Sequence, residues 1–305
     1  DGTVFFGSQD ADGEEEYYGK TLEERKKLPE PYIDKTVYTN WNAMMISALL
    51  EASVILDNNE YKKIVEQEGV VLVHGGGKEV TKVSKELGKE PKFVVSPGGI
   101  KSRYTDKETA EIFTMVMSGK INKTIVCMLQ KNGINAIGLS GIDGKIIQAE
   151  RKKKLLIINE KGRKQAIDGG YTGKITNVNA SLLKLLLEQG YTPVISPIAI
   201  SEEFDFLNVD GDRAAAYVAG KIQSDKVLFL TNVDGLLMDE KLVNSLTLDE
   251  AKAIIPKIGF GMEKKILAAT EALDMGVKEA LIANGQRENP ISAAIAHDKC
   301  TVIQK

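Results

Sequence analysis

The sequence contains few of the residues that build metal centres and disulfide frameworks. Its 305 residues include only two cysteines, Cys127 and Cys300, and two histidines, His74 and His297. None of them stands at a metal-ligand spacing, so we expect no zinc or other dedicated metal site and no oxidising compartment. A Gly-x-Gly-x-x-Gly followed by an acidic residue is also absent, which argues against a dehydrogenase on a dinucleotide-binding fold.

Long apolar runs and a strong charge of either sign are missing as well. No stretch of about 18 apolar residues is present, so we predict no transmembrane helix and no membrane partner. The acidic beginning of the sequence lacks the basic-then-apolar pattern of a signal peptide, and the expected location is the cytoplasm. A net charge of −3 gives no reason to expect nucleic acid as the main partner.

What is present after Ser53 is a steady alternation of strand and helix patterns. Apolar runs predict strands at Val70–Val73, Phe93–Val95, Ala136–Leu139, Leu155–Ile158, Thr192–Ser196, Lys226–Leu230, Glu279–Ile282 and Thr301–Ile303. Helical patterns between most of them cover Lys107–Met117, Lys120–Lys131, Asn179–Gln189, Asp212–Ile222, Thr247–Ile255, Gly261–Met275 and Ile291–His297. This alternation predicts an α/β protein with a mostly parallel sheet covered on both faces, and ligands at the carboxyl ends of its strands.

One predicted strand end is rich in glycine. The run Val70–Val73 leads to Gly75, Gly76 and Gly77, and a helical segment follows over Lys78–Leu87. Glycines let the backbone approach a ligand closely, and N–H groups at a helix N-terminus attract anions such as phosphate. A tight turn without a ligand has the same sequence, so the triplet alone leaves both interpretations open.

Motifs at further strand ends make the pattern specific. They are Ser196-Pro197, Leu207–Ala215, Leu230–Gly235 and Gly259–Lys265. In this order, together with the glycine triplet, they resemble the amino acid kinase family, the group that includes acetylglutamate, aspartate and glutamate kinases. The resemblance covers residues 53–305. It implies a three-layer α/β/α sandwich, with a substrate lobe over residues 53–200 and a nucleotide lobe over residues 201–305.

Within that family, four segments are most similar to kinases that act on a carrier-protein-bound amino acid in lysine and arginine biosynthesis. These segments are Ser96–Thr105, Gly138–Gly144, Ala149–Lys154 and Gly169–Lys174. The resemblance implies phosphorylation, by ATP with Mg²⁺, of the side-chain carboxylate of α-aminoadipate or glutamate. The amino group of that substrate is amide-linked to a small acidic carrier protein, and a homodimer is expected.

The resemblance also implies roles for substrate-binding residues. Gly75, Gly76 and Gly77 match the glycine loop that holds the acyl substrate near the γ-phosphate. Arg103 matches the arginine that pairs with the substrate α-carboxylate, and a guanidinium fork suits a carboxylate better than a lysine does. Asn208 matches an asparagine that helps to hold the substrate. Without this context, a lone arginine would be expected on the solvated surface.

For phosphoryl transfer, the resemblance implies that Asp212 organises the active-site lysines and that Lys265 stabilises the leaving phosphate. Such a site works mainly by positioning and charge neutralisation. Asp212 would also suit a helix N-cap, and a one-residue shift would exchange Lys265 for Lys264. Asp210 is a weaker candidate to share a Mg²⁺. The nucleotide-side loop is assigned to Thr231, Asn232, Asp234 and Gly235, with Lys174, Asn284 and Gly285 as weaker candidates.

The basic run Arg151, Lys152, Lys153 and Lys154 has two interpretations. A run of this kind is often only a solvated face. In the carrier-dependent subgroup it would be a docking patch that attracts the acidic carrier through long-range charge. A tyrosine at position 104, next to Arg103, is also more similar to the carrier-dependent subgroup than to the kinases that act on free acetylglutamate.

The sequence departs from the family before Ser53. Family members begin with a strand that ends in Lys-x-Gly-Gly, whose lysine contacts the transferred phosphate, and no such motif precedes Gly75. Residues 1–52 contain charged turns and an amphipathic helical pattern that starts at Trp41, and they faintly resemble a fragment of thioredoxin-domain proteins with a helical barrel. Two alternatives stay open: an acetylglutamate kinase, and a pseudokinase that binds nucleotide or amino acid without catalysis.

We predict that this chain has the kinase fold but strongly reduced activity, because loss of one preorganised donor costs on the order of 10²–10³ in rate. The measurement is phosphoryl transfer from ATP-Mg to carrier-bound aminoadipate, with hydroxylamine trapping of the acyl phosphate. This chain is compared with a version in which a Lys-x-Gly-Gly strand is restored before Ser53. Equal rates in the two versions would refute the prediction.

Overall fold

The fold was analysed in a computed structural model that describes residues 8–10, 32–34, 69–99, 101–159, 162–259 and 261–305. Within residues 1–52 the structure describes only two short strands, at residues 8–10 and 32–34. The helical pattern predicted from Trp41 lies outside the described residues.

The described elements alternate along the chain. The strands are β1 (Ser8–Asp10), β2 (Tyr32–Asp34), β3 (Leu72–Val73), β4 (Phe93–Val95), β5 (Lys101–Arg103), β6 (Ala136–Ser140), β7 (Ile147–Arg151), β8 (Lys154–Ile158), β9 (Lys164–Asp168), β10 (Gly173–Val178), β11 (Thr192–Ser196), β12 (Ile198–Ile200), β13 (Phe206–Asn208), β14 (Lys226–Thr231), β15 (Leu237–Met238), β16 (Lys241–Leu242), β17 (Ser245–Thr247), β18 (Glu279–Asn284) and β19 (Cys300–Gln304). The α-helices are α1 (Gly77–Glu86), α2 (Lys107–Thr114), α3 (Asn122–Lys131), α4 (Ala180–Glu188), α5 (Gly211–Ile222), α6 (Leu248–Ile254), α7 (Met262–Asp274) and α8 (Pro290–Ile295).

Three sheets organise these strands. The first has the order β3-β11-β6 and is parallel throughout. The second, β10-β7-β12-β13, and the third, β14-β18-β19-β17, mix parallel and antiparallel pairs. The pairs β4-β5, β8-β9 and β15-β16 are separate antiparallel hairpins. The predicted α/β class is therefore confirmed, with parallel pairs next to the motifs at the strand ends and with antiparallel strands, among them β7, β9 and β10, that the apolar patterns did not predict.

The missed strands are short and only half buried. In β7, Ile147 and Ala149 point inward while Glu150 is exposed, and β9 has almost no buried side chain. Such segments carry little apolar signal, because one face of an antiparallel strand can stay in water. The two helices predicted over 107–117 and 120–131 form one continuous helix, because a π-helical turn at Met115–Ile121 joins α2 to α3.

This continuous helix, Lys107–Lys131, is long and apolar enough to cross a membrane by length and composition alone. Its apolar side chains are nevertheless used inside the protein. Val116 packs against Val80 and Ile198, and Ile125 and Leu129 pack with residues of β6 and β11. It is a core helix of the described fold.

Two clusters of buried residues fix the helices that surround the site. Ile147, Leu183, Ile195 and Leu207 join the first two sheets to α4 and α5. The second cluster joins α5 and α7 to the third sheet through Ala216, Ala219, Phe229, Ala268, Ala269, Ala272 and Ile282. The alanines let the two helices approach closely, so small errors in their packing would be felt at their N-termini.

We predict that Gly141→Ala destabilises the fold, because an added Cβ would lie 2.0 Å from the backbone oxygen of Ile198 and 2.7 Å from Ile147 Cβ. Overpacking of this kind costs about 1–3 kcal/mol or more. The control is Gly119→Ala, where nothing lies within 4 Å and helix propensity favours alanine by about 1 kcal/mol. Urea unfolding measures the free energy of unfolding of both variants and of the parent protein. Equal stabilities for Gly141→Ala and the parent would contradict the prediction.

Candidate active site

The glycine triplet forms the loop between β3 and α1. An added Cβ at Gly76 would lie 2.1 Å from Ile121 Cδ1 and 2.8 Å from Met117 Sδ, so this side of the loop is closed by the core helix. Added Cβ atoms at Gly75 and Gly77 would meet nothing within 4 Å. No side chain caps the N-terminus of α1. The loop therefore leaves open space beside Gly75 and Gly77, at a helix N-terminus that no side chain caps, and such termini are suited to binding anions.

His74 supports this loop, a role that the sequence patterns did not predict. Its backbone N–H donates to Ile195 O (3.2 Å), and its side chain is buried. Nδ1 lies 3.0 Å from Gly75 O, and Nε2 lies 3.2 Å from Asn122 Nδ2. Because a carbonyl only accepts and an amide nitrogen donates, this network assigns the proton to Nδ1. Burial lowers the pKa of His74 from 6.5 to about 4, so the ring is neutral beside the glycines.

Arg103 reaches the same loop from β5. Its Nη2 donates to Gly77 O (2.8 Å) and to Thr81 Oγ1 (2.6 Å), and the guanidinium lies 5.0 Å from the centre of the Phe93 ring. Nη1 is buried and has no hydrogen-bond partner among the described residues. Burial lowers the pKa of Arg103, although arginine stays charged in proteins. A buried cationic donor that is left over in this way indicates a place for an anion.

Asn208 is joined to Arg103 through a residue that the sequence analysis passed over, Thr105. Asn208 Nδ2 donates to Thr105 Oγ1 (3.0 Å), and Thr105 is fully buried. The backbone N–H of Tyr171 donates to Thr105 O (2.7 Å), and the N–H of Asn208 donates to Tyr171 O (2.9 Å). These bonds bring the end of β13 beside the segment that follows β5.

The N-terminus of α5 carries the two aspartates of the predicted site. Asp210 is the N-cap, since its side chain accepts from the N–H of Arg213 (3.1 Å). Asp212 is free of that role and accepts from Lys265 Nζ at 2.9 and 3.1 Å. Lys264 Nζ instead lies 3.8 Å from Asp210 Oδ2. The geometry thus separates alternatives that the sequence left open: Asp210 caps the helix, and Lys265 pairs with Asp212.

The aspartates lie next to the glycine loop. An added Cβ at Gly211 would be 3.9 Å from His74 O, so the first turn of α5 touches the residue that precedes the triplet. Helices α5 and α7 each lead through a short turn into a parallel strand, β14 and β18. Their N-termini therefore lie at the carboxyl edge of the third sheet, where ligands bind in such folds.

The predicted nucleotide-side loop lies at this edge as well. Asn284 Nδ2 donates to Asp234 Oδ1 (3.0 Å), and the N–H of Gly285 donates to Thr231 O (2.8 Å). Asn232 is exposed, whereas Gly235 is packed so closely that an added Cβ would lie 2.4 Å from Thr301 Oγ1. The loops after β14 and β18 thus form one polar surface. Lys174 belongs to β10 in the second sheet, and none of these contacts includes it.

The basic run Arg151–Lys154 does not form one surface. Arg151 Nε donates to Gly170 O (2.6 Å), and its guanidinium stacks 4.5 Å from the centre of the Tyr171 ring. Lys152 is half-buried, and only Lys153 and Lys154 are exposed. Arg151 is therefore committed to holding the turn before β10, while the two exposed lysines keep their charge in solvent.

A glycine loop at an uncapped helix N-terminus, a half-buried arginine and a lysine–aspartate pair at the carboxyl edge of an α/β sheet are typical of an enzyme that transfers a charged group such as phosphate. The chain belongs to the amino acid kinase family, which it matches over residues 57–284. The predicted family and the predicted class of phosphotransferase are confirmed by this match.

Similar proteins that carry a functional name agree with this family assignment. A protein of Nitrosopumilus maritimus provisionally named LysW-aminoadipate/LysW-glutamate kinase is 77% identical over 265 residues, which cover 85% of this chain and 99% of that protein. The LysW-aminoadipate/LysW-glutamate kinase of Sulfolobus acidocaldarius is 47% identical over 253 residues, with 83% and 92% covered. A solved structure of N-acetylglutamate synthase from Neisseria gonorrhoeae has a TM-score of 0.65 at 22% identity and covers 86% of this chain and 56% of its own. This last match supports the fold alone.

We predict that His74 makes the stability of the protein depend on pH. The pKa of His74 is lowered from 6.5 to about 4 in the folded chain, so the unfolded chain binds the extra proton first as the pH falls. Stability contributed by the neutral ring is therefore present above pH 6.5 and is lost toward pH 4, by roughly 3 kcal/mol. Urea unfolding at several pH values should show that the free energy of unfolding falls less between pH 6.5 and pH 4 in His74→Gln than in the parent protein. Identical pH dependence in both proteins would contradict the assignment.

Proposed function

We propose that the chain transfers the γ-phosphoryl group of ATP to the side-chain carboxylate of aminoadipate, or of glutamate, that is bound to a small acidic carrier protein. The observation that carries the proposal is the unpartnered Nη1 of Arg103 at the glycine loop, together with the Lys265–Asp212 pair at the N-terminus of α5. The names of the similar kinases support the choice of substrate.

The reaction brings two anions together, so the residues act mainly by positioning and by neutralising charge. The backbone N–H groups of Gly75 and Gly77, which lie beside open space, donate hydrogen bonds to oxygens of the acyl group. Arg103 Nη1 donates to the substrate α-carboxylate, while its Nη2 stays anchored on Gly77 and Thr81. Asn208 holds the other end of the amino-acyl group.

Lys265 stabilises the oxygen that leaves with the nucleotide, because its Nζ carries positive charge to the edge where the loops after β14 and β18 meet. Asp212 keeps that Nζ in place through two hydrogen bonds and does not itself transfer a proton. Thr231, Asn232, Asp234 and Gly235 bind the nucleotide. Asp210, whose Oδ2 lies 3.8 Å from Lys264 Nζ, is the carboxylate that would hold a Mg²⁺ ion, and the ion would supply positive charge to the ATP phosphates.

The carrier docks on the hairpin β8-β9. Lys153 and Lys154 are exposed at its beginning, and Arg163 and Lys164 are exposed on the partner strand. Leu156 is 60% exposed between them, which gives the basic surface an apolar centre. Such a surface attracts an acidic protein through long-range charge, and this attraction weakens with salt. The lobes at residues 53–200 and 201–305, the cytoplasmic location and the homodimer follow from the family resemblance.

We predict that Lys265→Met lowers kcat on the order of 10²–10³-fold with little change in KM, because its charge acts on the transition state. Arg103→Lys should instead raise KM for the carrier-bound substrate and leave KM for ATP unchanged. Both are measured by hydroxylamine trapping in the version with the restored Lys-x-Gly-Gly strand. The control Lys252→Met removes an exposed lysine that pairs with Asp274.

Free acetylglutamate and carrier-bound aminoadipate are compared as acceptors in the same assay. Faster turnover of free acetylglutamate would overturn the carrier-bound substrate in favour of an acetylglutamate kinase. ATP binding without turnover of either acceptor would support a pseudokinase. An unchanged kcat in Lys265→Met would remove this lysine from the mechanism.

A further inference from the structure

Lys152 differs from its neighbours in the basic run, because it is half-buried and lies next to the substrate-binding strands. Its backbone N–H donates to Thr172 O (2.9 Å), and Thr172 pairs with Asn208 in an isolated bridge. Lys152 therefore stands one strand away from Asn208, at the end of β7 that is nearest to the first turn of α5.

The charges that act on Lys152 locate its side chain. Burial is the largest influence and lowers the pKa of the ammonium group; the positive charges of Arg213 and Lys174 lower it further, and the Asp210 carboxylate opposes them. Arg213 and Asp210 both belong to the N-terminal turn of α5. Lys152 therefore lies near the turn that also carries Asp212.

Every charged neighbour on α5 already has a partner. Arg213 forms a bidentate pair with Glu271, Asp210 caps α5, and Asp212 holds Lys265. Among the described residues, Lys152 Nζ has no hydrogen-bond or ion-pair partner. A half-buried ammonium group without a partner costs stability, so its presence calls for a ligand that satisfies it.

A second polar group beside it is also unsatisfied. Thr172 Oγ1 is buried and has no hydrogen-bond partner among the described residues, as is true of Arg103 Nη1 on the other side of Asn208. The donors of Lys152 and Thr172, two residues joined by a backbone hydrogen bond, are thus left over, and Thr172 in turn pairs with Asn208. Unfilled donors on neighbouring residues are the pattern expected of an anion site and not of a structural network, which would be internally satisfied.

We propose that Lys152 is an anion-binding residue of the active site, whose ammonium group, together with the Thr172 hydroxyl, binds an oxyanion of the reacting groups: a phosphoryl oxygen of the donor or the carboxylate of the acceptor. This inference rests on the proposed function. The residues of the basic run then have three different roles. Arg151 holds a turn, Lys152 binds an anion in the active site, and Lys153 and Lys154 bind the carrier protein.

The test compares Lys152→Met and Lys152→Arg with Lys153→Met in the version with the restored strand, and Lys184→Met, which removes an exposed lysine on α4, is the control. Lys152→Met should lower kcat/KM on the order of 10²-fold at every salt concentration, and Lys152→Arg should recover part of the loss. Lys153→Met should weaken the salt dependence of KM for the carrier instead. The melting temperature of Lys152→Met should equal or exceed that of the parent, because no native contact of the ammonium group is lost.

Calorimetric titration with ATP-Mg alone separates the two sources of the oxyanion and does not depend on the acceptor. Weaker ATP binding in Lys152→Met assigns the lysine to the phosphoryl group, whereas unchanged ATP binding with a raised KM for the acceptor assigns it to the carboxylate. The proposal is overturned if Lys152→Met behaves like Lys184→Met, if it changes only the salt dependence, or if its melting temperature falls. If the parent binds ATP but phosphorylates no acceptor, the proposed function fails while ATP binding by Lys152→Met still tests this residue.

Discussion

The close packing of α5 against α7 is the constraint on which the rest of the site depends. Three ion pairs cross this interface among the described residues: Lys265 with Asp212 and, at a longer distance, Lys264 with Asp210 near the N-termini, and Arg213 with Glu271 further along α7. Buried alanines fill the space between them, so the two helix axes can come close enough for short, directed hydrogen bonds. Because each helix leads into a neighbouring parallel strand, one packing interface sets both the position of the lysine and its distance from the nucleotide-side loops.

The site is built to receive negative charge and not to hold it. The carboxylates of Asp210 and Asp212 are engaged, one as a helix cap and the other as the partner of a lysine, whereas donors of Arg103 and Thr172 are buried and unfilled. In the low dielectric of such a site, an unpaired donor is costly until an anion arrives. The proposed substrate brings a carboxylate and the proposed co-substrate brings phosphates, so the arrangement gains its stabilisation only when both are bound. This is the physical sense in which the structure favours phosphoryl transfer to an acid.

The glycine loop shows how much a plain motif depends on its surroundings. Gly76 is needed because the core helix lies against it, whereas Gly75 and Gly77 leave room for a ligand. His74, neutral through burial, holds the first carbonyl of the loop and ties it to Asn122 in that helix. The three glycines of the triplet therefore suit their positions for two different physical reasons.

The sequence by itself determined the fold class and the family and proposed most residues of the candidate site, because these rest on local patterns: apolar strands that end in glycine, and polar motifs at successive strand ends. It also showed the missing Lys-x-Gly-Gly. It did not determine strands such as β7, β9 and β10, whose half-exposed residues carry little apolar signal, or the parts played by His74, Thr105 and Thr172. Only the tertiary structure decided that Asp210 caps α5 while Asp212 pairs with Lys265, and that Lys152 is half-buried next to the exposed Lys153. Those outcomes depend on contacts between residues that are far apart along the chain, and no local pattern encodes them.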